Sequence, residues 1–254
     1  MALIGAALLF LSACGGDDTA NSTDGATSDL SGPLTVFAAA SLTDVFIELG
    51  ETFMAQNPGI EVRFNFGPSS GLSRQINEGA PADVFASANI SQMAVVSEAG
   101  NADGEPTVFV ENVLQIAAPA GNPAGITGIA DFANADLTLA ICAPEVPCGV
   151  AAATVFEAAG ITPSVDSLEE DVRAALTKVE LGEVDAALVY VTDVIAAGSA
   201  VEGIDFPETL EAVTSYPIVT LSAAPNPDAG QLFVEFILSE VGTAALEEAG
   251  FRSP

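Results

Sequence analysis

The sequence predicts an α/β fold built on parallel sheets, and three observations support it. Short apolar strands alternate with amphipathic helices, the pattern expected of strand–helix–strand crossovers. At three points, near Ser41, Ser69 and Cys148, a strand breaks directly into a helix, and ligands of open α/β sheets bind beyond such carboxyl ends. An extended apolar segment over residues 108–118 is suited to cross between two lobes.

Residues 34–44, LTVFAAASLTD, are the most informative stretch: a strand, three alanines, then a serine that opens a helix. Leu42, Val45, Phe46, Leu49 and Phe53 recur at helical spacing, and Ser41 with Asp44 has the form of a capping box. The start of a helix offers unpaired N–H groups and about half a positive charge, so an oxyanion can be held there without a basic side chain. Residues 62–66 alternate as a strand, and Gly67-Pro68-Ser69-Ser70-Gly71 turns into a helix bearing Leu72 and Ile76. A third strand is expected over 82–86, a fourth over 137–142, then a loop through Pro147 and Cys148 into a helix over 149–159. Leu168, Val172, Leu176 and Val179 mark another helix, and 186–190 reads as a strand ending in Tyr190. A strand over 218–221 and a helix over 229–238 complete the alternation.

Half of the 254 residues are hydrophobic and 16% are charged, enough apolar material for one or two domains. Five basic residues (Arg63, Arg74, Arg173, Lys178, Arg252) face 35 acidic ones, a formal charge of −30. That excludes nucleic acid as a partner. Any anion site here must work through short-range neutral donors, because the whole chain repels anions at long range. With no histidine in the sequence, Ser-His-Asp and Cys-His catalysis are ruled out, and Walker A, GxGxxG and GxSxG motifs are absent. An enzyme using Ser41 or Ser69 as nucleophile would lack its base, and a surface adhesin should show repeats or more aromatics than 6%.

Residues 1–13 form an apolar run too short to span a bilayer, ending in Leu11-Ser12-Ala13-Cys14-Gly15, the pattern of a bacterial lipoprotein signal. Cys14 is then the lipidation site, residues 14–33 are a flexible tether, and the domain lies on the outer face of the membrane or in the periplasm. In that oxidising setting Cys142 and Cys148, separated by Ala-Pro-Glu-Val-Pro, are expected to form a disulfide rather than a metal site.

Several of these residues resemble the extracytoplasmic molybdate-binding proteins of ABC importers, which have the class II periplasmic-binding-protein fold. The resemblance covers about residues 34–251 and is carried by Phe37-Ala38-Ala39-Ala40-Ser41-Leu42-Thr43, Gly79-Ala80-Pro81-Ala82-Asp83-Val84-Phe85, Pro144-Glu145-Val146-Pro147, Glu170-Asp171-Val172-Arg173 and Leu188-Val189-Tyr190. It implies two Rossmann-like lobes around a ligand cleft, lobe one over 34–111 and 218–254, lobe two over 112–217. It also implies oxyanion donors at Ser41 and Ser69 (backbone and hydroxyl), Cys148 and Val172 (backbone) and Tyr190 (phenol). Ser167 and Glu170 also have the spacing of a capping box, which would start the next helix early; the resemblance favours a start near Glu170 that leaves the Val172 N–H free. Asp83 and Arg173 read as structural pairs or turn residues.

The implied function is capture of molybdate or tungstate and delivery to an ABC permease and its ATPase by a monomeric lipoprotein without catalysis or cofactor. The alternative is another tetrahedral oxyanion such as sulfate, or a small carboxylate. Molybdate and tungstate are fully deprotonated at neutral pH and ask only for donors, whereas phosphate benefits from an acceptor for its remaining proton.

Overall fold

The computed structural model describes residues 30–254. The Cys14 lipidation site and the signal segment therefore lie outside the described residues. The chain begins with β1 (Gly32–Ala39), a 3₁₀ turn (Ala40–Leu42), α1 (Thr43–Gln56), β2 (Ile60–Gly67), α2 (Ser69–Asn77), β3 (Val84–Ala86), α3 (Ile90–Glu98) and β4 (Thr107–Asn112). Then come β5 (Leu114–Pro119), β6 (Leu139–Cys142), α4 (Pro147–Ala159), β7 (Ser167–Glu169), α5 (Val172–Glu180), β8 (Ala186–Tyr190), α6 (Val191–Ala197) and β9 (Val201–Ile204). Last are β10 (Thr214–Thr220), α7 (Pro227–Ile237) and α8 (Glu240–Glu248).

Two five-stranded sheets result, in the orders β2-β1-β3-β10-β4 and β7-β6-β8-β5-β9. In the first, β1 runs parallel to β2 and β3 while β10 is antiparallel to β3 and β4. In the second, β6 is parallel to β7 and β8 while β5 is antiparallel to β8 and β9. The extended segment expected over 108–118 is two strands, one in each sheet, broken at Val113. The first sheet also holds Asn112 and the residues from Thr214 to Pro217, just outside the bounds expected for lobe one.

Each sheet has its own core. In the first, Phe46 on α1 meets the rings of Phe64, Phe109 and Phe233 at centroid distances of 6.2, 6.1 and 6.1 Å. α1 buries Val45, Phe46, Leu49, Gly50 and Phe53, the stripe its periodicity predicts. Gly50 is needed there, because a Cβ would lie 2.7 Å from the Phe64 ring. The second core gathers Phe132, Phe156, Leu139, Val155 and Leu188, and Ala40 of the first lobe packs into it. The cores therefore touch at the point where β1 turns into its helix. Among the described residues no single helix is long and apolar enough to cross a membrane.

Two capping boxes suggested by the sequence do not form. α1 begins at Thr43 after the 3₁₀ turn, and no side chain caps it, so the Ser41–Asp44 capping box does not form. Residues Ser167–Glu169 are a strand paired with β6, and Leu168 is exposed, so the early capping box does not form and the helix starts just after Glu170, as the later start expected. α5 starts at Val172, with Asp171 as N-cap accepting from the Ala174 N–H at 2.9 Å. Strand pairing outweighed local capping at Ser167, because the edge of β6 supplies backbone partners that a helix turn would otherwise have to provide.

Candidate functional site

Ser41, Ser69, Cys148, Val172 and Tyr190, picked from the sequence, all line one cavity of about 230 Å³, its open mouth included. The first two come from the first lobe and the other three from the second. All five are buried.

Each reaches the cavity for a local reason. Ser41 sits in the 3₁₀ turn where β1 ends, so its N–H has no partner further back along the helix. Its Oγ lies 2.9 Å from the Tyr216 hydroxyl instead of capping α1. Ser69 is the first residue of α2, behind Pro68 in extended conformation, and its Oγ accepts from the Ala88 N–H at 3.0 Å. In α4 the first position is Pro147, which has no N–H, so Cys148 presents the first free amide of that helix. Cys148 is bonded to Cys142 with the Cα atoms 5.6 Å apart. The next residue must be glycine: a Cβ on Gly149 would stand 1.9 Å from the Ala143 carbonyl oxygen, so the bridged loop lies directly on the helix start. Val172 opens α5, and the Asp171 cap takes the Ala174 N–H, leaving the Val172 N–H unclaimed. Tyr190 ends β8, and its hydroxyl has no hydrogen-bond partner among the described residues.

The arrangement is rich in donors. Three α-helix starts and one 3₁₀ start converge on the cavity, adding partial positive charge where a chain of charge −30 otherwise repels anions. Asp171 also lines it, with one carboxylate oxygen already committed to its own helix. Burial pushes the Tyr190 and Tyr216 phenols well up, so both stay neutral and keep their protons. Behind Tyr190, the buried Asp193 accepts the Tyr190 N–H at 3.0 Å through Oδ2. Its Oδ1 lies 3.7 Å from Arg173 Nη1, close enough for an ion pair but without a hydrogen bond. Burial raises the Asp193 carboxyl to about 7, opposed by the Tyr190 N–H and by Arg173. Arg173, next to Val172 in the chain, is paired with Asp193 and Asp44. Asp83 is likewise structural, accepting from the N–H groups of Thr35 and Asn226. No group of three or more His, Cys, Asp or Glu among the described residues could hold a metal ion.

Sequence reasoning missed Tyr216, Asn112 and Asp193. The available signal was that Tyr216 is one of only two tyrosines, the other being Tyr190. Their rings meet edge to face at 6.1 Å.

Two lobes, each with its own sheet and core, that share a small cavity ringed by helix starts have the architecture of a two-lobed solute-binding protein. The model of the bacterial extracellular solute-binding protein family matches residues 34–252, and the chain belongs to that family. The molybdate-binding protein ModA of Mycobacterium tuberculosis is 41% identical over 244 residues, covering 96% of this chain and 93% of the relative. The periplasmic molybdate-binding protein of Azotobacter vinelandii has the same fold, with a TM-score of 0.77 at 20% identity over 87% of this chain and 99% of that one. So does the sulfate-binding protein SubI of Mycobacterium tuberculosis, with a TM-score of 0.77 at 19% identity, covering 87% of this chain and 86% of that one.

Proposed function

We propose that this chain captures molybdate, or its congener tungstate, outside the cytoplasm and hands it to an ABC permease and its ATPase. The observation that carries this reading is the donor set. Ser41, Ser69, Cys148, Val172 and Tyr190 line one small cavity, and in this reading the amides of the first four and the hydroxyls of Ser41, Ser69 and Tyr190 donate to a fully deprotonated tetrahedral dianion, which can use every one of them. Hydrogen bonds to charged groups contribute about 1.5–3 kcal/mol each, so seven such donors can offset the desolvation of a dianion. The 41% identical molybdate-binding relative supports the choice of ligand.

Lobe one, which with the strands β4 and β10 takes in Asn112 and residues 214–217 besides 34–111 and 218–254, and lobe two between them close on the ion and together present it to the permease. Cys14, lipidated after removal of residues 1–13, anchors a monomer to the membrane through the tether that precedes β1, which begins at Gly32 rather than after residue 33. The chain binds without catalysing, in keeping with the absence of histidine. Sulfate is the second reading, favoured by the SubI fold match, since both ligands are tetrahedral dianions and cavity size must separate them.

A calorimetric panel of molybdate, tungstate, sulfate and hydrogen phosphate tests the proposal. Molybdate and tungstate should bind orders of magnitude more tightly than sulfate. Sulfate binding equal to molybdate would overturn it.

A further inference from the structure

We propose that Arg173 is a positioning residue for the captured oxyanion: one guanidinium ties together the three segments that carry the proposed donors Ser41, Val172 and Tyr190. This inference rests on the oxyanion reading of the site.

The same spacing occurs twice around it. Asp44 lies three residues beyond Ser41, where the 3₁₀ turn passes into α1, and Asp193 lies three residues beyond Tyr190, in the first turn of α6. Residues three apart in a helical turn share a face, so each carboxylate stands on the segment that presents a donor. Arg173 directly follows Val172 at the start of α5. Its Nη1 meets both carboxylates, Asp44 Oδ2 at 2.9 Å and Asp193 Oδ1 at 3.7 Å.

The two pairs have different consequences. Asp193 is buried, its Oδ2 accepts the Tyr190 N–H at 3.0 Å, and its Oδ1 has no hydrogen bond. Among the described residues Arg173 is the one cation paired with it. Without that cation a buried charge stands uncompensated, a strongly unfavourable state, on the residue that fastens the Tyr190 backbone. Asp44 is more exposed, so its pair contributes little by itself, yet among the described residues it is the one ion pair between the lobes. It holds only while the lobes are together. Arg173 therefore keeps the Val172 and Tyr190 segments of the second lobe in fixed relation and joins the Ser41 segment of the first lobe to them.

Stopped-flow release of molybdate tests this at a temperature where melts show the ligand-free proteins folded. The variants are Asp44→Asn, Arg173→Lys, Arg173→Gln, and Arg173→Gln combined with Asp44→Asn or with Asp193→Asn. Arg173→Gln should speed release about tenfold, beyond the two- to fivefold expected of Asp44→Asn. Adding Asp44→Asn to it should change nothing further, because the partner is already gone. Adding Asp193→Asn instead should slow release back to the Asp44→Asn value, since asparagine still accepts the Tyr190 N–H and no buried charge is left alone. Arg173→Lys keeps the charge and should fall between wild type and Arg173→Gln. A residue that only stabilised the fold would lower the melting temperature and leave release unchanged. Should Arg173→Gln fail to fold, its combination with Asp193→Asn carries the comparison, with and without Asp44→Asn. Release at the wild-type rate from the Arg173→Gln proteins, or an Asp44→Asn effect undiminished in their background, overturns the role of Arg173 and leaves the proposed function standing. A wild type that binds none of molybdate, tungstate or sulfate overturns the proposed function itself.

Discussion

Arg173 on α5 of the second lobe and Asp44 on α1 of the first form an ion pair between the lobes, Nη1 to Oδ2 at 2.9 Å. The same guanidinium lies 3.7 Å from the buried Asp193, so one side chain links α1 of the first lobe to the carboxylate behind Tyr190. Asp44, which the sequence suggested as half of a capping box, is instead part of the contact between the lobes.

Because the Arg173 and Asp44 side chains are 32% and 52% exposed, their pairing should act as a weak latch. Exposed pairs contribute about 0.2–1 kcal/mol, so Asp44→Asn should speed molybdate dissociation by about two- to fivefold. Stopped-flow release at low and high chloride checks this: salt should shrink the difference between wild type and variant. Identical release rates at low salt would remove the latch from the account.

Ser41→Ala and Ser69→Ala should each weaken molybdate binding by about ten- to a hundredfold, since the amides survive and only a hydroxyl donor is lost. The two should differ without ligand. Ser69→Ala strands the Ala88 N–H, and leaving a buried donor unpaired costs about 1–3 kcal/mol. Calorimetry of both variants, with thermal melts of the ligand-free proteins, checks the pair of expectations.

Reduction of the Cys142–Cys148 bridge should loosen the loop that seats the Cys148 amide, lowering molybdate affinity several-fold while most of the fold survives. Gly149→Ala should be worse, because its Cβ meets a backbone carbonyl that cannot swing aside as a side chain could. Titration with and without reductant, set beside the glycine variant, provides the comparison. Affinity that ignores both changes would detach Cys148 from the site.

Burial raises Asp193 to about 7 from an ordinary 3.8, so between those values the folded chain holds more of this proton than the unfolded chain does. Its contribution to stability is therefore greatest at low pH and is lost as pH rises toward and through 7. Asp193→Asn still accepts the Tyr190 N–H but no longer ionises. Melting temperatures at pH 5 and pH 8 should show the variant gaining on wild type at the higher pH. A gap that stays constant between the two would falsify the assignment. Facing groups that modulate the effect are Arg173, Asp44, Tyr190 and Tyr216.

Much of the fold was legible because hydrophobic periodicity is local. The stripe from Leu42 to Phe53, the alternation through Val62 to Phe66 and the apolar run ending at Tyr190 each announce their element within a few residues. α3, whose Asn89 cap accepts the Gln92 N–H, went unread because its periodicity is weak and its stripe small. Ser167–Glu169 was misread because three residues carry no period, and only the neighbouring β6 makes them a strand.

The sequence by itself determined the alternation of strands and helices, the five positions whose motifs resemble oxyanion donors, the acidic charge and the absence of a histidine base. Only the tertiary structure decided how those groups are oriented. Tyr216 meets Ser41 across 175 positions, Asn112 meets Thr192 across 80, and Arg173 on the second lobe finds Asp44 on the first. Such pairings depend on which strands lie side by side and how two lobes pack. No local periodicity encodes that, because the proton on a buried hydroxyl points wherever its distant neighbours leave room for it.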